Sequence, residues 1–247
     1  CGKLKTAYSK RFFIRKQNMP FKYQKHITHS TELPYYLSAD LPRLLITSGI
    51  HGDEYESIEF VKQAIERHCD DLPPLLFIPA MSPSAVAQKT RLNSENLDLN
   101  RHFYANSPSV EAQAVQALLF NHNFLHTISF HEDPEQDKFY LYDSGLLTNL
   151  RNFSEFKFQI ACIAVSLLNG IDDPEDPLLG HNVSDGYVSI SPGKFLKNSG
   201  PFETWLINQV ISQRVIAPEI PGKLSRDLKQ KIVNLFFKEI VLPLIRQ

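Results

Sequence analysis

From Leu44 onward the chain alternates short apolar runs with longer stretches of helical periodicity, and that alternation restricts it to few folds. Strands are predicted at 43–49, in "PLLFIPA" (74–80), in "FLHTISFH" (124–131) and in "RVIAPEI" (214–220). Each is too short for a helix, and its apolar residues do not alternate with polar ones, as in strands covered on both faces. Helices are predicted at 54–68, in "SPSVEAQAVQALLF" (107–120), "SEFKFQIACIAVSLLNG" (154–170), "GPFETWLINQ" (200–209) and "SRDLKQKIVNLFFKEIVLPLI" (225–245). Ser109 with Glu111 just beyond it marks the start of the second, and Gly170 the end of the third. A long polar loop is expected over 81–107. The order predicts an α/β fold, with a mixed, mostly parallel central sheet and helices on both faces.

No Gly/Ser-rich or charge-rich linker divides the 247 residues, so a single domain over 1–247 is expected, residues 1–40 supplying N-terminal strands or an extension. A formal net charge of −1 gives no reason to expect nucleic acid or an anionic membrane as partner. No apolar run approaches the roughly 18 residues of a membrane span. Three cysteines, Cys1, Cys69 and Cys162, make no even disulfide framework, so a reducing, cytoplasmic setting is expected. Cys1 leaves a lipidated N-terminus open as a second reading.

Two strands run directly into histidines. His51 follows the first, with Glu54 three residues on at the helix start, and His131 closes "FLHTISFH". The carboxyl ends of strands are where open α/β sheets bind ligands. Two His and one Glu leave a fourth position free, the ligand set of a catalytic rather than a structural zinc. On spacing alone, hydrogen-bonded core histidines are the more frequent arrangement, and a His-x-x-Glu pair arises by chance in many chains.

The loop string "ENLDLNRHF" (95–103) places Asp98, Asn100 and Arg101 between the two candidate ligand strands, and "QKTRLN" adds Arg91. An Arg beside an amide side chain grips a carboxylate, the Arg through two parallel hydrogen bonds. A cation site with two arginines suits a substrate carrying a carboxylate near a scissile carbonyl.

With these pieces in place the sequence resembles the zinc carboxypeptidases. "HGDE", "TRLNSENLDLNRHF", "SPSVEAQA", "SFHE" and "GPFETW…RVIAPEIPG" follow that family's landmarks in order, over roughly residues 43–220. The compact bacterial murein-peptide amidases are the branch most similar in length and motifs. The resemblance implies a hydrolase-like sandwich fold and one Zn2+ held by His51, Glu54 and His131. It implies Arg91 for polarising the carbonyl, Asn100 and Arg101 for the substrate carboxylate, and Asp98 for orienting the first His. Glu219 matches the general base, on its "E-I-P" context rather than a fixed spacing, with Glu203 and Glu132 as rival acids. Counted from Trp205, Glu203 falls at the base of the specificity pocket, where an acid would favour an amine-bearing side chain. The family's substrate-covering Tyr is absent: Leu196 stands there, with Tyr187 nine residues earlier as a substitute.

Two further segments are acidic. "HEDPEQDKFYLYD" (131–143) reads as a solvated loop before an edge strand, or as a cleft wall or second-ion site. "DDPEDPLLGHNVSDG" is a similar loop, its His181 a surface residue.

The implied activity is zinc-dependent removal of one carboxylate-bearing residue from the C-terminal end of a peptide or murein peptide. The alternative is an N-acyl amino acid deacylase, resembling the aspartoacylase and succinylglutamate desuccinylase branch, whose Asn-Pro-x-Ala…Arg…Asn-Arg string "MSPSAVAQKTR…DLNRHF" approaches. A third reading, from another class, is a catalytically silent peptide- or murein-binding module, for which the missing Tyr counts.

Overall fold

The computed structural model describes residues 22–28, 31–146, 150, 152–174, 180–190 and 200–246. Residues 1–21 of the expected N-terminal strands or extension, the Cys1 reading and Leu196 lie outside them. Ten strands form one sheet among the described residues, and a further pair stands apart. In chain order the elements are β1 (Lys22–Ile27), β2 (Glu32–Leu37), β3 (Leu44–Thr47), α1 (Tyr55–Arg67), β4 (Leu75–Ile78), α2 (Pro83–Gln88) and α3 (Val110–Leu119). They continue with β5 (His126–Ser129), β6 (His131–Asp133), β7 (Lys138–Asp143), α4 (Phe153–Cys162), β8 (Ser166–Leu167), β9 (Gly170–Ile171), β10 (Asn182–Val183) and β11 (Tyr187–Ser189). The last are α5 (Phe202–Asn208), β12 (Val215–Pro221), α6 (Arg226–Phe236) and α7 (Leu242–Ile245).

The sheet order is β1-β2-β4-β3-β5-β12-β7-β11, with β6 beside β12 and β8 beside β7. The centre, β4-β3-β5-β12, is parallel, while β1-β2, β2-β4 and β12-β7 are antiparallel, giving the mixed, mostly parallel sheet expected. Its central strands β3 and β4 are buried on both faces, and successive residues feed opposite cores. Leu44, Ile46, Leu75 and Phe77 pack with α1, α4 and α6, while Leu45, Leu76 and Ile78 pack with α3 and α5.

β5 and β6 follow β12 in one unbroken register, from Thr127↔Val215 to His131↔Glu219. Phe130 interrupts the ladder opposite Pro218, which has no N–H to give, and its own N–H turns to Thr47 O at 2.8 Å. β3 stops at Thr47, level with Ser129, so β6 and the second half of β12 run on without it. The crevice left at this carboxyl edge holds the site.

Four expectations are corrected. The first strand ends at Thr47, and His51 stands beyond it as the first residue of a turn. The polar loop 81–107 contains α2, begun by Pro83, and a 3-10 turn at Leu99–Arg101. The helix expected to reach Gly170 ends at Cys162, where Val165 N bonds Ile160 O and Ala164 N bonds Ala161 O around a left-handed Ala164. That is a Schellman stop built on Ala instead of Gly, which is why composition hid it. The strand after the acidic loop, β7, is internal and lies between β12 and β11.

Candidate active site

His51, Glu54 and His131 are all buried, and a ligand atom from each lies within 4.8 Å of the others. His51 Nδ1 is 2.5 Å from Glu54 Oε1. His131 Nδ1 is 3.4 Å from Glu54 Oε2, an oxygen buried without a hydrogen-bond partner. Both rings thus present Nδ1 to the carboxylate. A carboxylate set between two imidazole nitrogens, with one buried oxygen unpartnered, fits a divalent cation with nitrogen and oxygen ligands, zinc among them.

The charges of the three groups depend on one another. Burial pushes the Glu54 carboxyl up, but His51 and His131 overcome it and hold it at about 2. Burial opposes a charge on His51 as well, yet Glu54 and Asp98 raise it to about 9. His131 is raised well above its ordinary value by Glu219, Glu54 and Glu203, against burial. These values hold for the cluster without a cation, and a bound ion would reverse the logic for both imidazoles.

Local packing explains how Glu54 reaches the site. It ends the 3-10 turn Gly52–Glu54, which lies so close to α2 that a Cβ on Gly52 would fall 1.9 Å from Ala85 O. On α1, Ser57 Oγ donates to Glu54 O at 2.8 Å, and Ser57 N donates to Glu132 Oε1 at 2.6 Å. Lys229 Nζ of α6 binds Glu132 Oε2 at 3.0 Å and Glu56 at 2.9 Å. Glu132, a rival acid by sequence, therefore points away from its neighbour His131 and fastens the start of α1 to α6.

Asp98 occupies the outer side of the first ring, with Oδ1 2.9 Å from His51 Nε2. The same oxygen accepts from Asn100 N, and Oδ2 accepts from Arg91 Nη2 at 2.9 Å. Burial raises this carboxyl, but His51, Arg91 and Arg101 bring it well below the usual range. Arg91 keeps 45% of its side chain exposed, so its guanidinium is tethered at one end and open at the other. Asn100 Oδ1 accepts from Phe202 N at 2.8 Å, and Arg101 Nη1 donates to Asn100 O at 3.1 Å. Gly200 packs against this turn, where a Cβ would meet Arg101 O at 1.9 Å. Only glycine permits that approach.

Glu203, expected on the floor of a specificity pocket, lies on the second ring. Its Oε1 is 3.0 Å from His131 Nε2 and accepts from Ser129 Oγ at 2.7 Å. Burial raises its carboxyl, but His131 and Ser129 bring it down to about 2. Ser129, also bonded to Thr47 Oγ1 at 3.2 Å, carried no sequence signal beyond its place two residues before His131.

Glu219 stands opposite His131 in the parallel ladder and opposite Tyr140 in the antiparallel one. Burial pushes its carboxyl up to about 8, helped by Glu54, Asp133 and Glu203 and opposed by His131. Tyr140 and Tyr142 of β7 line the same side, their hydroxyls donating to Asp133 and Asp172. Asp172 binds the backbone N of His181, whose ring meets Tyr142 edge-on at 5.5 Å. The two acidic loops thus pair with each other and with tyrosines. Tyr187 is not free to replace the missing Tyr, because its hydroxyl donates to Asp143 inside the buried Arg214–Asp143 pair.

Residues 40–141 match the family model described as the succinylglutamate desuccinylase/aspartoacylase catalytic domain. No curated protein matches the chain by sequence. Among solved structures it is similar to a candidate metallopeptidase of Shewanella denitrificans OS217, with TM-score 0.67 and 20% identity over 90% of this chain and 84% of that one. A metallo-carboxypeptidase of Burkholderia cenocepacia gives TM-score 0.63 and 11% identity over 93% and 66%. A succinylglutamate desuccinylase of Silicibacter sp. TM1040 gives 0.56 and 13% over 87% and 60%. At these identities the shared property is the fold. The family model and the fold agree with the resemblance to the zinc carboxypeptidases and their deacylase branch.

Proposed function

We propose that the chain is a zinc-dependent hydrolase that cleaves an amide bond and releases an amino acid whose carboxylate is free. The carrying observation is the buried His51–Glu54–His131 cluster with Glu219 in register beside it. His51 Nδ1, His131 Nδ1 and Glu54 would hold the ion. Zinc, when bound, supplies a Lewis acid that polarises a carbonyl and acidifies water.

The chain's own residues do the rest. Glu219, beside His131 in the ladder, takes the proton of the attacking water as a carboxylate and delivers it to the leaving amine. Arg91, held at one end by Asp98, turns its open edge to the developing oxyanion. Asn100 and Arg101 receive the substrate carboxylate and so fix which bond lies over Glu219. With its Oδ1 given to Phe202 N, Asn100 keeps its amide N–H groups for the substrate. Asp98 holds His51 in one tautomer.

The substrate read from the motifs is a peptide or murein peptide with a free C-terminus, acted on as a carboxypeptidase. The deacylase reading is kept because the matched family model is that of the deacylase branch. Both readings share the released amino acid and differ in what is acylated to it. Product mass spectrometry separates them, with zinc-loaded protein and a panel of C-terminally varied peptides, murein tripeptide and N-acyl amino acids. Loss of one terminal residue from peptides supports the carboxypeptidase reading, and cleavage of acyl amino acids alone supports the deacylase. Binding without any hydrolysis would overturn both in favour of a silent binding module.

A further inference from the structure

We infer that Glu203 is a positioning residue of the metal centre, aligning His131 as Asp98 aligns His51, and that it takes no part in choosing the substrate side chain. The inference rests on the metal reading above and extends it to a residue whose sequence position pointed elsewhere.

The two halves of the cluster are built alike. Each ring turns Nδ1 inward to Glu54 and Nε2 outward to a carboxylate oxygen, at 2.9 Å for Asp98 and 3.0 Å for Glu203. An imidazole has one proton to give when neutral, so a carboxylate at Nε2 keeps that proton there and leaves the Nδ1 lone pair for the ion. Among the described residues the other hydrogen-bonding group at His131 Nε2 is Ser129 Oγ at 3.2 Å, which both donates and accepts and so does not fix the choice.

Glu203 is also committed geometrically. The oxygen that meets His131 accepts from Ser129, and Ser129 is held by Thr47 at the end of β3. This chain of contacts joins the ends of β3, β5 and α5, three elements far apart in sequence. An amine-bearing substrate side chain could reach only Oε2, since Oε1 is taken by His131 and Ser129 and the side chain is 17% exposed. Drawing the carboxylate toward such a group would loosen its hold on the ring, so substrate recognition by Glu203 would work against metal retention.

The test compares wild type with Glu203→Gln, which keeps shape and one accepting oxygen, and Glu203→Ala. Zinc affinity is measured by chelator competition, ligand geometry by the visible spectrum of the cobalt-substituted proteins, and relative rates on basic and apolar terminal residues from the products. The expected result is zinc binding weakened roughly 10- to 100-fold in Glu203→Ala, with a smaller loss in Glu203→Gln. The cobalt bands should change, and the ratio of basic to apolar rates should stay at the wild-type value. If affinity and cobalt bands stay at wild type while the preference for basic residues disappears, the inference is overturned and Glu203 belongs to the substrate pocket. Should wild type itself bind no zinc, the metal reading falls and carries this inference down with it. If Glu203→Ala does not fold, the isosteric Glu203→Gln decides by the same readings.

Discussion

Glu219 lies directly across the parallel ladder from His131, beyond the point where Pro218 and Phe130 interrupt the pairing. This register places a carboxylate beside a candidate metal ligand without any loop having to close. Replacing Glu219 by Gln keeps the shape and removes the base. The variant should retain zinc and lose turnover by about 10²- to 10⁴-fold. Metal analysis and single-turnover rates of the same preparation check both halves, and near-normal turnover would remove Glu219 from the chemistry.

Asp98 joins the metal cluster to the substrate loop, since it holds both His51 and Arg91. Asp98→Ala is expected to weaken zinc binding about 10- to 100-fold and also to lower kcat at saturating zinc, because Arg91 loses its tether. Arg91→Met should lower kcat alone. Zinc titrations set beside rates at saturating metal distinguish the two, and equal zinc affinity in Asp98→Ala and wild type would contradict the assignment.

Arg101 is predicted to act in binding. Arg101→Met should raise KM for substrates with a free carboxylate and make little difference to rates on the corresponding amides. A loss of the same size on both substrate types would deny it the carboxylate role.

The metal-free protein has a defined pH signature. Glu219 sits at about 8 against an ordinary value of 4.5, so between those values the native chain holds a proton that the unfolded chain has released. Stability therefore falls as pH rises through that window. His51, raised from 6.5 to about 9, acts in the same direction, its contribution complete below 6.5 and lost through 9. Thermal melts of chelated protein should drop steadily from about pH 5 to about pH 9. Glu219→Gln should flatten the part below about pH 8. A melting temperature that rises over this range would refute the account of the cluster.

Lys229 makes a prediction about the scaffold alone. It is buried between Glu132 and Glu56, and removing it leaves Glu132 with its backbone partner only. Lys229→Met should cost about 3 kcal/mol, read by denaturant unfolding of the metal-free protein. Zinc should restore part of that loss, since Glu132 fastens the first turn of α1 just after Glu54.

The sequence made the α/β class and the central strands readable, because short apolar runs alternating with amphipathic stretches fit doubly covered strands. His51 and His131 stood out just after or at the end of apolar runs and Glu54 at a helix start, and the structure brings the three together. The partner of each ring was not equally legible. Asp98 stood in a recognisable string, whereas Glu203 meets His131 only because α5 docks on the edge of the sheet, a contact spanning 72 residues. α2 was hidden in polar composition, and the end of α4 was hidden because Ala164 adopts the left-handed conformation usually left to glycine. Such features depend on tertiary contacts, which periodicity does not report.

The most direct test of the central claim is a zinc titration of chelated protein during hydrolysis of the substrate panel. Activity should be absent without metal, rise linearly with added zinc and break sharply at one equivalent, with His131→Ala inactive throughout. Full activity in the chelated protein, or hydrolysis indifferent to His131, would contradict the account.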